Sequence, residues 1–496
     1  MAVICVDAGT TVIKAVGYDE TGAEAAVVRH GTSVSRPAPG QTEQDMDSVW
    51  DAVAHTVRGV AAQLGSAPDF VAVTAQGDGC WLIDASGRPT GPAILWNDGR
   101  AAATVDGWNR SGLAAEAFRV NGSSAASGLP HAILTWLNEH DPDRLARSAA
   151  NLSCGGWIFS RMTGEFAADE SDGSAPFMDL RTRAYSPALL AMFGLEWAEH
   201  LLPELRDDGR RVGGLTREAA ELLGLPAGTP VVMAPYDIAS TALGAGTVGA
   251  GQACSILGTT LCTETVVERP DLDGEPVGIT IAMPGGYLRA FPTFAGTEVL
   301  QWACRLLGLD GPAELGELAA TGPPGASGLS FQPYFSPAGE RAPFSDPLAR
   351  GAFLGLSFEH GREHVARAVL EGLTLVIQDC LAASGDRPHE LRVCGGGSAS
   401  ALWLRMISDV TGLPVFRSGD AEVGARGAYL VGLVATGAAT GIEAAAEQHV
   451  RLRDAVRPEP GAYDTAYRDF LALRETSARS WPLLAEMRGR RKRGRA

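Results

Sequence analysis

The chain has 496 residues, of which 45% are apolar and 20% charged, and its net charge is -17. That length exceeds the usual limit of one hydrophobic core, so two domains are expected. The acidic balance excludes a general nucleic-acid binder, which needs clustered cations, and no run of about 18 apolar residues is present to span a membrane.

Residues 2–7, AVICVD, read as a buried strand, and 12–19, VIKAVGYD, as its hairpin partner, with AGTT turning between them. From Met46 to Leu64 the residues Val49, Val53, Val57, Val60 and Leu64 share one helical face. FVAVTAQ and CWLID read as strands flanking GDG, and AILW as a short strand. From about 100 to 228, helical segments alternate with loops. There TREAAELLG carries a start signal at Thr216 and a glycine stop. TPVVMAPYDIASTALGAG predicts strand, turn and helix. Residues 244–251, GAGTVGAG, read as a hinge. The next stretch, ACSILGTTLCTETVV, echoes the chain's opening and predicts a second hairpin. Helices are expected over 296–308 and 364–383. Strand LRVC, a glycine turn, a helix over 400–412 and a last helix near Glu422 follow. The alternation predicts an α/β architecture in both halves. The domains are drawn at 1–246 and 247–478, and the basic run at 479–496 is read as a frayed, disordered tail. Eight cysteines stand singly, without zinc or redox spacing. The chain start lacks the features of a secretion signal, so a cytoplasmic location is expected.

Two motif matches fail on context. GAGTVG follows a helix-like segment and not the strand that a dinucleotide turn needs. HGREH matches a zinc-hydrolase spacing, but Gly361 weakens the single helix required. No P-loop is present. The glycine and threonines of DAGTT offer backbone N–H groups and hydroxyls to an anion, and Lys14 adds a charge. A carboxylate beside a phosphate is repulsive unless a cation mediates, so Asp7 points to Mg²⁺, held through water. An ordinary hairpin with a solvated acid is the plain alternative. The repeated Gly258-Thr259-Thr260 favours phosphate, because two such turns can clamp one polyphosphate. CGGGSAS, 394–400, is a glycine turn against which a ligand can lie. Asp237 ends an apolar strand, where it suits a general base, a helix cap, or both.

Together these residues resemble the FGGY family of carbohydrate kinases. DAGTTVIK is similar to its first phosphate motif, GTT at 258–260 to its second, and CGGGSAS with EVGARGAYLVG to its adenosine end. GAFLGLSFEHGREHVARAVLE, 351–371, fits its C-terminal signature, with His364, Ala368 and Glu371 in place. The resemblance implies two actin/hexokinase-like (ribonuclease-H-like) α/β domains around a central cleft. It implies ATP, Mg²⁺ and transfer of the γ-phosphoryl group to a sugar or polyol hydroxyl, and it leaves a homodimer open. Asp237 would be the catalytic base and Asp7 the metal residue. Thr10, Thr11, Lys14, Gly258, Thr259 and Thr260 would meet phosphates, and Gly396 and Gly397 would lie near the adenosine.

The family reads its substrate partly at QGDG, 76–79. There Gly77 and Asp78 depart from the Gln-Met-His-Gly of D-xylulose kinases and the Gln-Arg-Glu of glycerol kinases. Gln76, Gly77, Asp78, Trp96, Asn97 and Asp98 would bind the substrate, with His131 either inward or in the core. ILWNDGR and RMTGEFAADESDGS are similar to xylulose kinases. TAQGDGCWLID and DLRTRAYSPAL are similar to erythritol kinases, and the Gln-Gly pair to L-xylulose kinases. A ketopentose or small polyol is expected, xylulose-kinase-like, with erythritol or L-xylulose as rivals. An actin-like ATPase without a sugar substrate, or a non-catalytic sugar sensor, would lack the signature, lose the acid at 237 or add a DNA-binding segment.

Overall fold

The computed structural model describes residues 1–493 except 208, 386 and 462. Packing divides the chain into two units, neither of them one continuous stretch. The first comprises Met1–Gly249, Val267–Leu288 and Asp420–Arg451; the second comprises Ala250–Val266, Arg289–Gly419 and Leu452–Ala496.

The first unit is built on a six-stranded sheet. Its strands are β1 (Val3–Ala8), β2 (Val12–Tyr18), β3 (Glu24–Gly31), β4 (Phe70–Ala75), β5 (Val212–Gly214) and β6 (Pro230–Met233), in the order β5-β6-β4-β1-β2-β3. β1 and β2 pair antiparallel, with Asp7 opposite Lys14. β1 and β4, and β4 and β6, are parallel. β1 and β4 are almost wholly buried, which accounts for their unbroken apolar runs. Helix Met46–Leu64 forms as its periodicity predicts. Asp45 caps it by accepting from Ser48 N at 2.7 Å, Gly65 closes it in the left-handed region, and Val49, Val53, Val57 and Val60 are buried.

The second unit repeats this pattern. β7 (Gln252–Leu257) and β8 (Leu261–Val267) form an antiparallel hairpin. β9 (Glu390–Cys394) runs parallel to β7, β10 (Val415–Ser418) parallel to β9, and β11 (Leu452–Val456) antiparallel to β10. The sequence echo is therefore a repeated hairpin with a parallel third strand. Helices Thr297–Leu307, Arg362–Ala383 and Ala401–Thr411 flank this sheet, close to their predicted spans. In HGREH, Gly361 precedes the first helical residue and donates its N–H to His364 Nδ1 at 3.0 Å, so the motif is a helix start.

Helix Val423–Ala435 belongs to the first unit, where it packs on helix Asp237–Gly244. A Cβ on Gly244 would lie 1.9 Å from Val423 O, and one on Gly427 1.8 Å from Ser240 O. Both glycines allow the two backbones to touch. Gly244, read as part of a hinge, is thus a packing residue. The helix near Glu422 is not the last: Ile442–His449, Ala466–Ala478 and Trp481–Arg493 follow. Ala466–Ala478 buries only Phe470 and Ser477, so its apolar periodicity is faint in sequence. The basic run lies largely on Trp481–Arg493, whose Trp481 is buried and donates Nε1 to Arg350 O at 3.2 Å; residues 494–496 lie outside the described residues. Among the described residues no helix is long and apolar enough to cross a membrane.

Candidate active site

Asp237 is the first residue of its helix. Tyr236, not Asp237, holds the cap position, and the Asp237 carboxylate accepts from Ile238 N at 2.8 Å. The turn before it is fixed from several sides. Thr74 and Ser240 hydroxyls both donate to Pro235 O at 2.6 Å, and Tyr236 N donates to Ser171 Oγ at 3.0 Å. Behind Ser171, the fully buried Arg211 bridges Asp169 and Glu170. Such a pair holds geometry more than it adds stability.

Three further carboxylates act on Asp237. Burial first, then the charge of Asp7, and then those of Asp78 and Asp172, push its pKa up to about 8. Burial likewise raises Asp7, which Lys14 only partly offsets. Burial, with a contribution from Asp78, raises Asp172 to about 7. A carboxyl tuned close to neutrality can accept a proton at working pH.

Lys14 is less free than its sequence suggests. Its Nζ lies 3.4 Å from Asp7 Oδ2 and 3.1 Å from Glu422 Oε2. Burial disfavours the Lys14 charge, but Asp7 and Glu422 outweigh it and raise the pKa. Burial also works against the Glu422 charge, which Lys14 and Arg29 overcome, holding its carboxyl low. Glu422 was missed in sequence, because EVGARGAYLVG was grouped with the adenosine end. The structure packs this segment beside the first hairpin, where a Cβ on Gly424 would lie 3.1 Å from Asp7 Oδ2.

Thr10 belongs to a closed ring of hydrogen bonds. Its Oγ1 donates to Gln76 Oε1 at 2.7 Å and accepts from Trp96 Nε1 at 3.1 Å. Gln76 donates to Gln44 Oε1 at 2.9 Å, and Gln44 donates to Thr10 O at 3.1 Å. Thr11 is exposed. Gly77 is required by Tyr236, since a Cβ there would lie 2.4 Å from the ring. This approach draws the 76–79 turn against the segment carrying Asp237. Asp78 adopts a left-handed φ of 56°, a conformation that few non-glycine residues take.

The other predicted substrate residues divide. Asn97 is exposed. Asp98 is buried, and both its oxygens are engaged: Oδ2 accepts from Thr42 N at 2.6 Å, and Oδ1 from Arg100 N and Nε at 2.8 and 2.9 Å. Asp98 therefore holds its loop and has no open face for a ligand. His131 is a core residue, stacked on Trp108 at 4.8 Å and packed on Phe193 at 4.6 Å, with burial lowering its pKa to about 3.

In the second unit, Gly258-Thr259-Thr260 forms the three-residue turn between β7 and β8. Thr259 is exposed, Gly258 C=O accepts from Thr297 N at 2.9 Å, and a Cβ on Gly258 would meet Thr260 O at 3.4 Å and Ile256 Cγ2 at 3.8 Å. Gly396 is open to space, whereas a Cβ on Gly397 would lie 2.5 Å from Trp403. Packing thus explains Gly397 without a ligand, and Gly396 is the bare backbone of that turn.

Among the described residues no three His, Cys, Asp or Glu side chains are grouped to hold a metal ion. Mg²⁺ is commonly held by one or two carboxylates plus substrate phosphates, and the partly exposed Asp7 fits that mode.

The family model for the N-terminal domain of FGGY carbohydrate kinases matches residues 2–244, and that for the C-terminal domain matches 253–436. The chain is 36% identical over 459 residues to an erythritol kinase of Brucella abortus (strain 2308), covering 88% of each. It is 30% identical to a probable L-xylulose kinase of Pasteurella multocida (strain Pm70), covering 86% of this chain and 89% of the relative. Its structure is similar to that of a xylulose kinase from Rhodospirillum rubrum, with a TM-score of 0.88, 28% identity, and coverage of 97% of this chain and 100% of the other. Two repeated α/β units, the acid-lined site of the first and these matches place the chain in the FGGY family of carbohydrate kinases.

Proposed function

We propose that the protein transfers the γ-phosphoryl group of ATP to a terminal hydroxyl of a small linear polyol or ketopentose. The observation that carries this reading is Asp237, a carboxyl tuned to about pH 8 by burial and by Asp7, Asp78 and Asp172. The substrate hydroxyl oxygen attacks the γ-phosphorus, its proton passes to Asp237, and the bond to the ADP oxygen breaks. Asp7 would hold Mg²⁺, which when bound neutralises charge on the phosphates. A cation beside Asp7 also offsets one cause of the raised Asp237 pKa and brings the base closer to its ionised form. Thr11, Lys14, Gly258, Thr259 and Thr260 would donate to phosphate oxygens, with Gly396 beside the adenosine. Gln76, Asp78 and Trp96 would accept and orient the substrate. Phosphoryl transfer depends on such positioning more than on covalent chemistry.

Erythritol and the xyluloses are the first substrates to examine. The 36% identity to an erythritol kinase supports the former, and the fold shared with a xylulose kinase supports the latter. An ATP-coupled assay over erythritol, D-xylulose, L-xylulose, D-ribulose and glycerol tests the reading. Turnover is expected with a four- or five-carbon substrate. No turnover of any of the five would sink it.

A further inference from the structure

Beside the 76–79 turn lies a small cavity of about 30 Å³ lined by Asp78, Asn151, Ser153, Asp172 and Tyr185. A space of this size admits one or two polar heavy atoms and not a whole sugar. Most of its polar walls are engaged. Asn151 Oδ1 accepts from Cys80 Sγ at 3.0 Å, and Ser153 Oγ accepts from Gly156 N at 3.1 Å. Ser153 also favours the Asp172 charge, though burial outweighs it. The exception is Asp172 Oδ1, which is buried and has no hydrogen-bond partner. A buried carboxylate oxygen without a donor is costly in a folded protein, and a ligand hydroxyl would supply that donor.

We propose that this cavity is a notch for one substrate hydroxyl other than the one phosphorylated, with Asp172 accepting from it beside Asp78. Asp172 is then a specificity-determining residue. The inference rests on the kinase reading above and deepens it. Two carboxylates and a cavity with room for little more than a hydroxyl favour a hydroxyl donor over a methyl group, because a methyl would leave Asp172 Oδ1 unpaired. A site built to bond a hydroxyl rejects an analogue lacking it far more strongly than a merely apolar pocket could.

The test compares D-xylulose with 1-deoxy-D-xylulose, and erythritol with 1,2,3-butanetriol, on the full-length wild type, Asp172→Asn and Asp172→Ala. In the wild type, kcat/KM for the deoxy analogue of the better substrate should fall at least about 100-fold below its parent. Both variants should raise KM for the parent at least about tenfold, leave KM for ATP within about threefold, and shrink the parent-to-analogue ratio. Melting temperatures close to wild type would confirm that the variants fold. The analogue comparison needs no variant: wild type that turns over parent and analogue alike overturns the notch. Unchanged KM in the variants, or a fall in kcat with KM unmoved, overturns it too. Failure of the kinase reading itself is distinct, since wild type would then turn over no parent substrate, and the notch would fall with it.

Discussion

The two hairpin turns are alike in sequence and unlike in surroundings. β1–β2 and β7–β8 each carry Gly-Thr-Thr across a three-residue turn, and each lies beside a parallel third strand. In the first, Asp7 faces Lys14, which Glu422 also holds, and Thr10 is locked between Gln76 and Trp96. In the second, Ile256 pairs with Cys262 near the turn, Ser255 and Thr263 share a 3.0 Å hydrogen bond, and Thr259 is exposed. The glycine and two threonines are common to both turns. The acid, the lysine and the ring of amides belong to the first alone. The first turn is thus tied to the residues proposed for proton transfer and substrate binding, whereas the second is held by the start of helix Thr297–Leu307, where Thr297 N donates to Gly258 O at 2.9 Å.

The largest effect expected from this asymmetry is at Asp237, which acts with the first turn. Asp237→Asn should lower kcat by about 10²–10⁴, while calorimetry finds ATP bound as in wild type; undiminished turnover would remove the base. Next is Asp7→Asn. It should raise the Mg²⁺ concentration needed for half-maximal rate by about tenfold or more, in keeping with the loss of one of the few protein carboxylates such a site uses. Because the Asp7 charge helps raise the Asp237 pKa, its loss should also move the acid limb of the rate profile to lower pH. An acid limb that stays in place would uncouple the two acids.

Smaller effects should separate the threonines. Thr10→Ala should raise KM for the polyol about tenfold, since it breaks two hydrogen bonds worth about 1 kcal/mol each or less. Thr259→Ala should raise only KM for ATP, by severalfold. Equal effects on both substrates would mean that the turns are equivalent after all. The smallest effect concerns stability. Burial and the neighbouring acids raise the pKa of folded Asp237 to about 8, against about 4 for a solvated Asp. The stability that its neutral form contributes is therefore complete below about pH 4 and is lost as pH rises through about 8. Asp237→Asn stays neutral, so it should melt above wild type at pH 8 and level with it near pH 4. A constant gap would place the effect elsewhere.

Much of this was legible before folding was considered. Val49, Val53, Val57 and Val60 marked a helix because burial on one face repeats at three and four residues. Gly-Thr-Thr between apolar runs marked both hairpins, and Asp237 stood at a strand end. Asp98 misled, because residue type reveals a charge and not its partner, and the neighbours of Lys14 were equally hidden. Asp98 is wholly engaged by Thr42 and Arg100, and Lys14 lies between two acids. Asp172 was passed over because RMTGEFAADESDGS was matched to xylulose kinases as a whole stretch, with no role given to its acids; its buried, unpartnered Oδ1 sets Asp172 apart.

The alternation of strands and helices, the two Gly-Thr-Thr hairpin turns and the acid at 237 were set by the sequence alone, because backbone geometry and periodic burial act over a few residues. Only the tertiary structure decided that Glu422 meets Lys14, that Gly244 and Gly427 let two helices touch, and that Asp7, Asp78 and Asp172 raise the pKa of Asp237. Those properties depend on distances and desolvation between segments far apart in the chain, and neither is carried by any local run of residues.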